Sequence, residues 1–168
     1  IAILAQPLIE KELEKKGEDF RRTVIVCPNN AKKAWKQGLI GESGQRYLKD
    51  KQEVMVINGE KKDEEFFKRL ENAKWILLNK EQLNTGVNGN EEIFAQTLSG
   101  LGIDYLIFDE AHNFKSQRNV TTKGRLTQSG AARLLAKDAK YLTLLSGTPI
   151  PDQLDDYGVP FHLLNPSV

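Results

Sequence analysis

The chain has 168 residues, is 39% hydrophobic and 28% charged, and carries 24 basic against 23 acidic residues for a net charge of +1. That length suits one domain with a real core, and the even balance neither demands nor excludes nucleic acid, since a local basic strip can sit inside a balanced total. A single cysteine, Cys27, excludes an internal disulfide, two histidines beside it cannot complete a Cys/His zinc cage, and no apolar run approaches the ~18 residues of a membrane helix.

Residues 1–16 read as a helix with apolar positions at 1, 4, 8, 9 and 13, kinked or split at Pro7 and closed by Gly17. The opening is apolar but short, and charges follow at once, so it is not a secretory signal. A start at Ile1 without methionine suggests a chain whose beginning is missing. Residues 23–27 are a β-branched run suited to a buried parallel strand. Pro28-Asn29-Asn30 breaks it, and Asn30 is placed to cap a helix over residues 31–39. A loop spans 38–44, a strand 54–57 ends at the turn Asn58-Gly59, and 61–72 is an amphipathic helix with Phe66, Phe67 and Leu70 inward.

A strand at 75–78 leads to a helical turn near 81–83, then a Gly/Asn-rich connection over 84–90 and a helix over 91–98, with Glu91 and Glu92 at its positive end. A strand at 103–108, a polar loop at 115–123, a helix at 125–137 weakened at Ser129-Gly130, and a strand at 141–145 follow. Residues 154–164 are partly helical, interrupted by Gly158 and Pro160. Asn119-Val120-Thr121 matches a glycosylation sequon, taken as chance in a chain read as intracellular. Five short apolar strands alternating with helices give an α/β domain over residues 1–168 with a mainly parallel sheet and no internal repeat.

The chemistry concentrates where strands end. The run Tyr105-Leu106-Ile107-Phe108 stops at Asp109-Glu110-Ala111-His112. Adjacent ionised acids are costly in a buried strand unless paired or metal-bound. At the C-terminal tip of a parallel strand they open onto the crevice where α/β sheets bind ligands. There Asp109 can help hold Mg²⁺ through its water shell, Glu110 can orient or deprotonate water, and His112 can reach a neighbouring tip. A solvated loop with an acidic pair is the bland alternative.

Residues 141–145 end at Ser146-Gly147-Thr148-Pro149, whose hydroxyls can bond His112 and whose Gly147 permits left-handed backbone. A plain turn would use the same residues. Two further tips, Pro28-Asn29-Asn30 and Asn79-Lys80, offer amides and a cation to a phosphate, or serve as an ordinary turn and a surface lysine. Trp35 reads as a packing residue rather than a stacking platform, and Cys27 as a buried inert thiol.

Taken in order, Pro28 with Trp35 seven residues on, Asp109-Glu110-Ala111-His112 with Lys115 three residues on, Gly147-Thr148-Pro149, and Leu164-Asn165-Pro166 resemble the first motor lobe of the Swi/Snf-type ATPases of helicase superfamily two. The resemblance implies a three-layer, RecA-like P-loop NTPase lobe that uses ATP and Mg²⁺ to track double-stranded DNA, partnered by a second RecA-like lobe of the same parent chain, without a membrane. It implies Asp109 for Mg²⁺ and Glu110 for the attacking water, with His112 beside them. Ser146, Gly147 and Thr148 would couple nucleotide to DNA. Pro28, Asn29, Asn30, Asn79 and Lys80 would meet the phosphate backbone, and Lys115 and Ser116 would lie near the same face. The compartment would be cytoplasm or nucleus according to source.

Pro151, Asp152 and Tyr157-Gly158 depart from the family's pattern. No Gly-x-x-x-x-Gly-Lys-Ser/Thr occurs, so the phosphate loop is expected just ahead of Ile1, and the chain alone is expected to be inactive. Two other readings remain open here. One is a non-catalytic nucleic-acid or protein binding module that keeps the fold. The other is a metal hydrolase using Asp109, Glu110, His112 and His162.

Overall fold

The computed structural model describes residues 2–41, 53–86, 93–114, 118–122, 125–147 and 163–164. Strands β1 (Thr23–Val26), β2 (Val54–Val56), β3 (Trp75–Leu78), β4 (Tyr105–Asp109) and β5 (Tyr141–Leu145) form one sheet in the order β2-β3-β1-β4-β5, with every pair parallel. Val26 lies opposite both Leu78 and Phe108, and Asp109 lies opposite Leu145. The strands therefore finish together along one edge.

Strand side chains alternate between faces, and here both faces are apolar. Val24, Val26, Ile76, Leu78, Leu106 and Phe108 face one way, onto α3 (Glu64–Asn72), α5 (Phe94–Gly100) and α6 (Gln128–Asp138) through Phe66, Leu70, Phe94, Leu98 and Leu135. Ile25, Cys27, Trp75, Leu77, Tyr105 and Ile107 face the other way, onto α1 (Ala2–Lys15) and α2 (Lys32–Ile40) through Ile9, Leu13 and Leu39. The result is three layers, helix on sheet on helix, which explains why β1, β3 and most of β4 read as unbroken apolar runs. Each fully buried Leu, Ile, Val or Phe contributes about 1.5–3 kcal/mol.

The helix placement follows from crossover handedness. The step from β1 to β2 passes over β3 in one direction, through α2. The steps β2 to β3, β3 to β4 and β4 to β5 run the opposite way, through α3, α5 and α6. Right-handed crossovers require opposite directions to use opposite faces, and the two core clusters divide the helices accordingly. Chain direction therefore reverses at β1 and its neighbour β4. Such a reversal opens the crevice where α/β sheets take ligands.

At the other end of the sheet, Asp104 is buried and accepts hydrogen bonds from the backbone N–H groups of Arg21 (2.5 Å) and Arg22 (3.2 Å), with Lys140 Nζ at 2.9 Å. It ties together the starts of β1, β4 and β5. This corrects its placement in the expected strand 103–108, since β4 begins after it and takes in Asp109.

Several local expectations change. Helix α1 runs unbroken through Pro7, which forgoes one backbone bond without splitting it. Asn30 caps nothing: residues Asn29–Ala31 form a 3-10 turn with no side-chain cap, and α2 starts at Lys32. Helix α3 starts at Glu64 because Asp63 accepts from Phe66 N–H at 3.0 Å. The turn near 81–83 is a four-residue helix, α4 (Lys80–Leu83). Thr127 caps α6 by accepting from Gly130 N–H at 3.0 Å, so α6 starts at Gln128 rather than at 125. Glu91, Glu92 and the expected helix at 154–164, apart from Leu163 and Leu164, lie outside the described residues.

Candidate nucleotide and phosphate site

The tips of β1, β2, β3 and β4 enclose a crevice of about 480 Å³. Among the residues expected from sequence, Pro28, Asn29, Asn79, Lys80 and Asp109 line it. Asn30 is exposed and does not. Asn58, Glu81 and Asn113 line it too and were missed.

The acid pair is held from below. After β4, Ala111–Asn113 makes a 3-10 turn whose buried Ala111 and Phe114 pin it to the core. The Phe114 ring meets Phe108 edge-on, with centroids 4.9 Å apart. The turn closes by Asn113 N–H donating to the Glu110 carbonyl at 2.9 Å. To enter it, Glu110 adopts φ 54° and ψ 50°, the one left-handed non-glycine residue among those described. That conformation costs an L-residue roughly 1–2 kcal/mol. Gly147, which could take left-handed or tight geometry, is not among the positive-φ residues. The strained residue is the acid.

Glu110, His112 and Ser146 are brought together. His112 Nδ1 lies 2.9 Å from Ser146 Oγ and 3.2 Å from Glu110 Oε2. Nδ1 is hydrogen-bonded with the Ser146 hydroxyl and stands within ion-pair distance of the Glu110 carboxylate. The tips of β4 and β5, adjacent in the sheet, are thus joined by a side-chain bridge. Glu110 remains 40% exposed and open to solvent. Thr148, Lys115, Ser116 and His162 lie outside the described residues.

Asp109 has a different neighbour. Its Oδ2 accepts from the Trp35 indole N–H at 2.7 Å, while the Trp35 ring packs against the α1–α2 face of the core. The packing reading of Trp35 is right but incomplete. The buried Cys27 thiol lies near by, pushed up to about 12, chiefly by burial and next by the Asp109 charge. The inert reading of that thiol therefore stands.

On the other flank, Lys32 is buried and was passed over in the sequence because it sits in a polar stretch. Its Nζ donates to the Ile57 carbonyl at 2.6 Å, to Asn79 Oδ1 at 2.7 Å and to Asn58 Oδ1 at 3.4 Å. One ammonium braces the tips of β2 and β3 against α2. Burial holds its pKa below the ordinary lysine value. Because Lys32 engages the Asn79 oxygen, the Asn79 amide group points outward, where it donates to Glu81 Oε2 at 2.5 Å.

Among the described residues, no group of three His, Cys, Asp or Glu side chains could hold a metal alone. One carboxylate with an oxygen to spare suits Mg²⁺ that arrives with nucleotide phosphates and keeps much of its water shell. No helix among the described residues is long and apolar enough to cross a membrane.

The chain matches no curated protein. The family model of the SNF2-related domain matches it from residue 1 to residue 168. A RecA-like parallel sheet ending in an acid pair beside a Ser/His bridge agrees with that match, and the chain belongs to the SNF2-related domain family, whose members are ATP-dependent motors that act on DNA.

Proposed function

We propose that this chain forms the first lobe of an ATP-dependent motor that tracks or remodels double-stranded DNA, together with a second RecA-like lobe of the same polypeptide. The observation that carries the reading is the ledge at the chain reversal. Asp109 lies there in one crevice with Pro28, Asn29, Asn79 and Lys80, and Glu110 stands beside it, bridged through His112 to Ser146.

In this reading, bound Mg-ATP supplies the reactive phosphoryl group and the charge that offsets its negative oxygens. Asp109 would hold the metal's water shell, using the carboxylate oxygen that Trp35 does not engage. Glu110, exposed at the tip, orients the attacking water and accepts its proton. His112 keeps the Glu110 carboxylate turned toward the β5 tip, so that movement of Ser146, Gly147 and Thr148 reaches the water-activating acid. Asn29, Asn79 and Lys80 present donors to the phosphates of the tracked strand, with Pro28 shaping the turn and Asn30, Lys115 and Ser116 flanking it. Positioning and charge stabilisation do most of the work in phosphoryl transfer. These 168 residues contain no phosphate loop of the Gly-Lys-Ser/Thr type, so in this reading turnover, in cytoplasm or nucleus, would require one in addition to the residues named here.

Glu110→Gln in the full-length protein tests this reading. DNA-stimulated ATP hydrolysis should vanish while nucleotide binding persists. Turnover equal to wild type would overturn the role of Glu110, and absence of nucleotide binding in the wild type would favour a binding module on the same fold.

A further inference from the structure

Trp35 stands seven residues after Pro28, on the helix that leaves the crevice, yet its polar atom points back to the acid pair. The indole has one donor, and it is spent on Asp109 Oδ2 at 2.7 Å, within charge-assisted range. Here the ring is fixed along the α1–α2 face, and α2 is anchored by buried Leu39 at its far end and buried Lys32 at its near end. The donor is therefore preorganised.

The consequence for Asp109 is geometric. A carboxylate at a strand tip can rotate about its terminal bond. Holding Oδ2 restricts that rotation and leaves Oδ1 as the oxygen the indole does not engage, on a residue that lines the crevice. The same bond ties Asp109 to α2, whose approach, Pro28 and Asn29, lines the crevice on its phosphate-facing side.

Resting on the proposed role of Asp109, we propose that Trp35 is a positioning residue: its indole N–H orients the Asp109 carboxylate for the metal's water shell and links that carboxylate to the phosphate-contacting turn before α2.

The test uses full-length protein with 3-benzothienylalanine at position 35, which keeps the bicyclic shape and lacks the N–H. The Mg²⁺ concentration for half-maximal ATP turnover should rise on the order of tenfold, as when an outer partner of a metal-binding carboxylate is lost, with an unchanged unfolding temperature. A second readout needs no turnover. In nucleotide-free protein labelled with ¹⁵N at the indole, the Trp35 N–H resonance, assigned by Trp35→Phe, should move upfield on Asp109→Ala. An unchanged Mg²⁺ midpoint, or a Trp35 resonance indifferent to Asp109→Ala, overturns the proposal. Asp109→Ala also separates the two levels. Full turnover in that variant would sink the assigned role of Asp109 itself, whereas lost turnover there with an unaltered Mg²⁺ midpoint at position 35 sinks only the role of Trp35.

Discussion

Replacing Lys32 by methionine asks whether a buried ammonium without a carboxylate partner holds the crevice together. Methionine keeps most of the stem and removes the three donors. The Ile57 carbonyl, in a residue with no exposed surface, loses its 2.6 Å partner, and an orphaned buried acceptor costs about 1–3 kcal/mol. Asn79 Oδ1 loses its 2.7 Å donor but is only half-buried, so rehydration recovers most of that bond. Against these losses stands the relief of a desolvated charge, and buried charges replaced by apolar groups are often neutral or better. Because all three ammonium protons have oxygen acceptors, the lost bonds should win, for a net loss of about 2 kcal/mol.

Urea unfolding of the two proteins should show the midpoint falling by about 1 M, given slopes of about 1–3 kcal/mol per molar urea. The pH dependence has a definite sign. Burial holds the Lys32 pKa below the value of 10.5 for a free lysine, so between those two values the unfolded chain binds more protons. Wild-type stability therefore rises with pH in that window, and its advantage over Lys32→Met should widen. A methionine variant as stable as wild type would refute the bracing argument.

Cys27 carries the opposite sign. Its folded value near 12 lies above the ordinary thiol value of 9.0, so the native state keeps a proton that the unfolded state sheds. Stability should fall as pH rises past 9, and Cys27→Ala should lack that component in paired urea titrations from pH 8 to 10.5. Gly130→Ala would put its Cβ 2.1 Å from the Asn119 carbonyl oxygen and 2.9 Å from Leu126 Cδ2. Asn119 and Leu126 must then give way, at a cost of about 1–3 kcal/mol, and thermal unfolding should register it as a lower midpoint. Glu110→Gly should abolish DNA-stimulated turnover yet raise stability by roughly 1 kcal/mol in chemical denaturation, because glycine is at ease in the left-handed region. Equal or lower stability would argue against strain at that residue.

The strands were legible because both sheet faces are covered, so Val24–Val26, Trp75–Leu78 and Tyr105–Phe108 are apolar without interruption. The acid pair was legible because two adjacent carboxylates end an apolar run, where a buried strand would not carry them unpaired. The Ser146–His112 bridge followed once β4 and β5 were taken as neighbours. What escaped depends on strands far apart in sequence. Lys32 acquires meaning only where β2 and β3 pair beneath it, and Asn58 lines the crevice only because β2 lies beside β3. Trp35 was read by its ring, since no local pattern shows where an indole N–H points. Ser129-Gly130 read as a weakness in mid-helix, but it lies in the first turn, buried, where the missing side chain admits the Asn119 carbonyl.

The place of β1 in the sheet bears on how the polypeptide matures. Among the described residues it is the first strand in order and the middle one of the sheet, and the partners for its two flanks are Trp75–Leu78 and Tyr105–Asp109. During synthesis a greasy four-residue template stays open on both sides until Trp75–Leu78 emerges, and on one side until Tyr105–Asp109 follows, a situation that invites pairing with the wrong chain. Native assembly must also wait for distant segments to meet, which slows it. The ledge that gathers the polar tips is therefore among the last features to exist, and any nascent piece ending before β4 lacks it altogether.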